Sequence, residues 1–192
     1  MKFSIVETRD LLKAWIVISL AFAILLGDLR TDFGFLIIFA IAASTVGIGF
    51  LLHELAHKYF AQKYGAWAEF RSFDAMLMIA LVLSFFGVIF AAPGAVFIKG
   101  KVSRKQNGII SLAGPATNFL IAALFFALYA STSIPLLQLA GKYGTHINTW
   151  LGFFNLLPIF GLDGSKVLAW DKRIYAVSIL IALALVVWIH TF

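Results

Sequence analysis

Two histidines stand four residues apart with a glutamate beside the first, in His53-Glu54-Leu55-Ala56-His57. On a helix, that spacing stacks both imidazoles on one face, one turn apart, where a single divalent ion can take both. Glu54 lies about 100° round the helix from His53, out of line for an equivalent ligand but within reach of a water beside the ion. A carboxylate so placed suits a general base. The bland alternative, polar residues marking a helix end at an interface, leaves two imidazoles and a carboxylate without partners in an apolar segment, which is costly.

The chain contains no cysteine, so disulfides and thiolate metal sites are excluded and any further ligand is a histidine or a carboxylate. A catalytic zinc takes three protein ligands and leaves a fourth position open. Asp163 is the candidate, in Asn155-Leu156-Leu157-Pro158-Ile159-Phe160-Gly161-Leu162-Asp163-Gly164. An aspartate inside a membrane helix costs ~2.5–3.5 kcal/mol unless compensated, and a divalent cation compensates it. A capping or turn role before Gly164 is the alternative. The expected site is therefore one Zn2+ per chain on His53, His57 and Asp163, with Glu54 as the catalytic base.

The elements that position these residues are membrane helices. Of the 192 residues, 62% are hydrophobic and 12% charged, with a mean hydropathy of +0.98, which excludes a soluble globule with a polar skin. Spans are expected at 11–27, 33–60, 109–130, 146–163 and 174–192. They form one membrane-embedded domain over 1–192, all-α and polytopic, with its core at 33–170. No small-residue cleavage site follows the first apolar run, so that run is expected to stay as a span. The net charge of +6 comes from clusters that border apolar runs, as cytoplasmic flanks do, and implies no nucleic-acid partner.

A sixth apolar stretch, 75–98, is interrupted by Gly87 and by Ala92-Pro93-Gly94-Ala95. If it crosses the membrane, the 15 basic residues divide 7 against 8; if it dips in and returns, they divide 13 against 2. The positive-inside rule favours the dip. A re-entrant hairpin at 75–98, packed over the site, is therefore expected. In that topology the N-terminus, 58–74, 99–108 and 164–173 are cytoplasmic, while 28–32, 131–145 and the C-terminus face outward. His57 and Asp163 then reach the same, cytoplasmic-side level. His146 and His190 fall on the outward side as interfacial residues.

With HELAH on one span, Gly114-Pro115-Ala116-Thr117-Asn118 on the next long span and N-x-x-P-x-x-x-x-D-G following, residues 45–170 resemble the site-2 protease family of intramembrane zinc metalloproteases. The resemblance implies zinc on His53, His57 and Asp163, a catalytic Glu54, and Gly114 with Asn118 in the core. It also implies cleavage of membrane-spanning protein substrates near the cytoplasmic side of the cell membrane. The chain differs from many relatives in showing no PDZ-like or nucleotide-sensing domain and in its longer 75–98 segment.

Asn118 and Asn155 divide between two readings. An asparagine in a membrane helix commonly serves helix packing, at ~0.6 kcal/mol, whereas amides near the zinc orient a substrate carbonyl or support its oxyanion. Pro158 kinks its helix and frees carbonyls near Asn155. Alternation in the segment from Ala66 to Asp74 predicts a short strand. That strand, or one at 94–98, could grip an extended substrate. A non-catalytic metal carrier remains the alternative to a protease, although it has no use for Glu54 between its ligands.

Overall fold

A computed structural model describes residues 1–27, 34–89, 93–159 and 161–191. The expected outward turn at 28–32, Ala92 of the expected break and Phe160 of the aspartate motif lie outside them. The described chain is mainly helical: α1 (Ile5–Gly27), α2 (Phe35–Ala42), a π-helical turn (Ala43–Gly47), α3 (Ile48–Lys63), β1 (Trp67–Ser72), α4 (Asp74–Ser84), β2 (Gly94–Lys99), α5 (Arg104–Ser131), α6 (Pro135–Asn155), α7 (Asp163–Trp170) and α8 (Lys172–Ile189). The segments from α2 to α3 form one continuous helix, Phe35–Lys63. Among the described residues, that helix, α1, α5 and α8 are long and apolar enough to cross a membrane. The protein is a membrane protein. Leu180 and Val187 of α8 are exposed, an apolar surface that water disfavours and lipid accepts.

α5 is the central helix and packs on α3, α6 and α7. Its start is fixed by a capping box, in which the Gln106 main-chain N–H donates to Ser103 Oγ at 3.2 Å and the Ser103 N–H to Gln106 Oε1 at 2.9 Å. α1 packs against the Phe35–Lys63 helix at the π turn, where the extra residue disturbs the regular backbone ladder and the Ala43 carbonyl accepts from Trp15 Nε1 at 3.0 Å.

The two strands pair antiparallel, Trp67 opposite Lys99 through Ser72 opposite Gly94, in agreement with the strands expected at both places. Phe70 of β1 is fully buried and meets Phe50 of α3 edge-on, ring centroids 5.7 Å apart, which fixes the sheet beside the HELAH turn. A buried ion pair adds a second tie. Lys58, next to His57, pairs with Glu7 of α1, and both side chains are fully buried. The Phe70 N–H donates to Glu7 Oε1 at 2.9 Å, and the Phe3 ring centroid lies 4.1 Å from Lys58 Nζ.

The structure corrects the fourth expected span. The helix drawn at 146–163 begins at Pro135, within the expected outward loop, and ends at Asn155. Pro158 cannot continue it, and Gly161 adopts φ 74°, a left-handed value that favours glycine. The chain therefore turns before Asp163, which opens a new short helix rather than lying inside a span. The other spans keep their identity, with bounds shifted to Ile5–Gly27, Phe35–Lys63, Arg104–Ser131 and Lys172–Ile189.

Candidate metal centre

His53 and His57 project from α3 and Asp163 from the first turn of α7, and all three are buried. His53 Nε2 lies 3.0 Å from His57 Nε2. Asp163 Oδ2 lies 3.4 Å from the first and 3.1 Å from the second. A tetrahedral ion with bonds of ~2.0–2.1 Å holds its ligand atoms ~3.3 Å apart, so the three atoms have the spacing of one face of such a shell.

The opposite ring nitrogens fix the tautomers. His57 Nδ1 lies 2.7 Å from the Ile110 carbonyl, which can only accept, so Nδ1 carries the proton. His53 Nδ1 lies 2.6 Å from Asn118 Oδ1. The Asn118 amide is oriented by its other end, since Nδ2 donates to the Gly49 carbonyl at 3.2 Å and to Asn148 Oδ1 at 3.1 Å. Both Nε2 atoms therefore turn lone pairs toward each other and toward a carboxylate. Three electron-rich atoms at this separation repel one another unless a cation joins them. The donor set fits zinc, with outer partners that orient both rings.

Two glycines permit this approach. A Cβ at Gly114 would lie 2.5 Å from Cε1 and Nε2 of His57 and 2.6 Å from His53 Nε2, so a larger residue on this face of α5 would displace the rings. A Cβ at Gly164 would lie 1.9 Å from the Leu156 carbonyl oxygen, so the residue after Asp163 allows α7 to abut the end of α6. Pro115 lacks an N–H and disrupts the helical turn before it. The carbonyl left without that donor is Ser111's; the Ile110 carbonyl, one residue earlier, faces His57.

Asp163 sits at a helix N-terminus, which favours a negative charge. Lys166, one turn on, places Nζ 3.6 Å from Asp163 Oδ1.

The three residues open on a cavity of about 170 Å³ that Glu54, Asn155, Lys166 and the β2 residues Gly94, Ala95, Val96 and Ile98 also line. Glu54 is buried beside the Val96 main chain. Asn155 faces the cavity while its Nδ2 donates to the Leu151 carbonyl at 2.9 Å. Asn118 is fully buried behind His53 and contacts the centre through that ring. His146 and His190 lie apart from the cluster: His146 bonds to the Lys142 carbonyl and His190 stands against Trp150.

Sequence reasoning did not single out Asn148, the Ile110 carbonyl or Lys166. Lys166 was detectable in principle, because a residue three positions beyond Asp163 on a helix shares its face.

No family model matches the chain, and no solved structure matches it. It is 45% identical over 145 residues to a protein of Methanocaldococcus jannaschii assigned as a zinc metalloprotease, covering 74% of this chain and 76% of that one. A second M. jannaschii protein, named a zinc metalloprotease, is 29% identical over 126 residues, which are 63% of this chain and 31% of the relative. A Bacillus subtilis protein assigned as a zinc metalloprotease is 27% identical over 145 residues, 65% of each chain.

Proposed function

The chain belongs to a family of zinc metalloproteases, and on that premise we propose that it is an intramembrane endopeptidase of the site-2 protease type. The observation that carries the reading is the place of the HELAH turn. His53, Glu54 and His57 lie on Phe35–Lys63, a helix long and apolar enough to span a bilayer, and their side chains converge with a buried Asp163. The proposed site is one zinc per chain on His53, His57 and Asp163. Membrane-spanning proteins in the cell membrane are its proposed substrates, cut toward the cytoplasmic side.

The topology proposed with it has five spans, α6 being the fourth. Its 21 residues reach ~31 Å at 1.5 Å each, enough for a ~30 Å core. The 11 residues of α4 reach only ~16 Å. That helix exposes Met78, Ile79 and Val82, which suits an 75–98 segment that dips into the bilayer and returns.

When bound at this centre, zinc polarises a peptide carbonyl and acidifies a water molecule. Glu54 takes a proton from the attacking water and passes it to the leaving amine. His53 and His57 are held in the ligand tautomer by Asn118 and Ile110. Asn155, on the cavity wall, is placed to hydrogen-bond the substrate main chain, and Asn118 supports catalysis through His53. β1 occupies one edge of β2, and β2 lines the cavity. An extended substrate segment pairs along its other edge, which delivers an unwound peptide bond to Glu54.

The test is zinc content measured beside cleavage of a helix-destabilised transmembrane peptide in detergent. The native chain should hold about one zinc and cut, Glu54→Gln should hold zinc without cutting, and Asp163→Ala should lose zinc. A Glu54→Gln chain with full function would favour a metal carrier instead.

A further inference from the structure

We propose that Lys166 is a catalytic residue of this centre, donating a hydrogen bond from its ammonium to the carbonyl oxygen of the bond being cut. The inference rests on the protease reading above. In the sequence Lys166 counts among the basic residues flanking a membrane span. In the structure its side chain faces the site. It lines the same cavity as Glu54, His53 and His57.

Asp163 divides its two oxygens. Oδ2 faces both histidines and Oδ1 faces Lys166 Nζ at 3.6 Å. That separation is too long for a hydrogen bond, and among the described residues the ammonium makes none. Its three N–H groups are therefore available to something else in the cavity. The side chain is 44% exposed, so Nζ stands at the mouth of the site with freedom to turn inward. An anchored carboxylate behind it keeps the cation near without saturating it.

Peptide hydrolysis places negative charge on the carbonyl oxygen as water adds to the carbon. That charge disappears when the C–N bond breaks and the proton carried by Glu54 goes to the amine. A donor aimed at the oxygen only while the charge exists lowers the barrier without entering the stoichiometry, and the ammonium keeps its protons throughout. A cation donates a stronger hydrogen bond to a developing oxyanion than a neutral amide does.

The experiment compares Lys166→Met and Lys166→Arg with the native full-length chain, reading zinc content, kcat and KM on one transmembrane peptide. Lys166→Met should hold zinc at the native level, keep KM within about twofold and lose ~10²–10³-fold in kcat, the usual effect of removing one oxyanion donor. Lys166→Arg should recover part of the loss. Loss of zinc together with activity in Lys166→Met would show that Lys166 only positions Asp163, and would overturn the proposal. An unchanged kcat, or a rise in KM alone, would also overturn it while leaving the protease reading intact. A native chain that holds zinc but cuts nothing would sink the protease reading and this proposal together.

Discussion

Asn118 Oδ1 lies 2.6 Å from His53 Nδ1, a contact between residues 65 positions apart that joins α5 to the HELAH turn. The same amide reaches Asn148 of α6, so one buried side chain links three helices around one imidazole.

Replacing Asn118 with leucine removes the acceptor and leaves the His53 N–H without a partner. Zinc affinity should fall ~10–100-fold, as losses of such outer partners do. Competition with a chelator measures this, and an unchanged affinity would mean that the contact has no bearing on the metal.

Gly114→Ala places a methyl group 2.5 Å from the His57 ring. The rings are held at their far nitrogens and cannot both retreat, so the variant should purify with much less than one zinc and show no cleavage. Native zinc content in this variant would contradict the close packing of α5 on the two histidines.

Glu7 and Lys58 are both fully buried, and removing one partner strands the other charge. Glu7→Gln or Lys58→Met alone should cost ~3–5 kcal/mol, whereas the double substitution should recover much of it. Thermal melts of all four chains close the cycle. Additive losses would show that the pair is not coupled.

Phe97→Pro and Ile98→Pro each delete one N–H of β2, and alternate N–H groups of a strand point to opposite edges. The substitution on the edge away from β1 should leave zinc and folding intact and slow cleavage about tenfold, the worth of a lost hydrogen bond of ~1–1.5 kcal/mol. Equal cleavage by both variants and the native chain would exclude strand pairing as the way substrate binds.

The HELAH turn was legible because its geometry is local: four residues of helix decide where two rings go. The β1 strand was legible for the same reason, from the alternation between Ala66 and Asp74. Asp163 was singled out through its chemistry, yet its surroundings were misjudged. An apolar run through Pro158 reads as one span, and only the backbone at Gly161 shows where the chain turns. The partners that hold the rings were out of reach. Asn148 and the Ile110 carbonyl sit 30 residues from Asn118 and 53 from His57, and nothing in either stretch announces the pairing. Lys166 was hidden differently. Counting charges for topology gives each lysine a side of the membrane but no direction, and the direction is what the fold adds.

α3 and α7 bring His57 and Asp163 together from distant parts of the chain, with α5 and α6 between them. An ion held by His57 and Asp163 is therefore also a clasp, closing a circuit of roughly a hundred residues whose free ends would otherwise explore far more arrangements. Unlike a disulfide, such a clasp opens when a chelator takes the ion or acid protonates its ligands. Metal supply then bears on stability as well as on chemistry: a chain drained of its ion would lose one tie between α7 and α3 and keep the packing of α7 on α5.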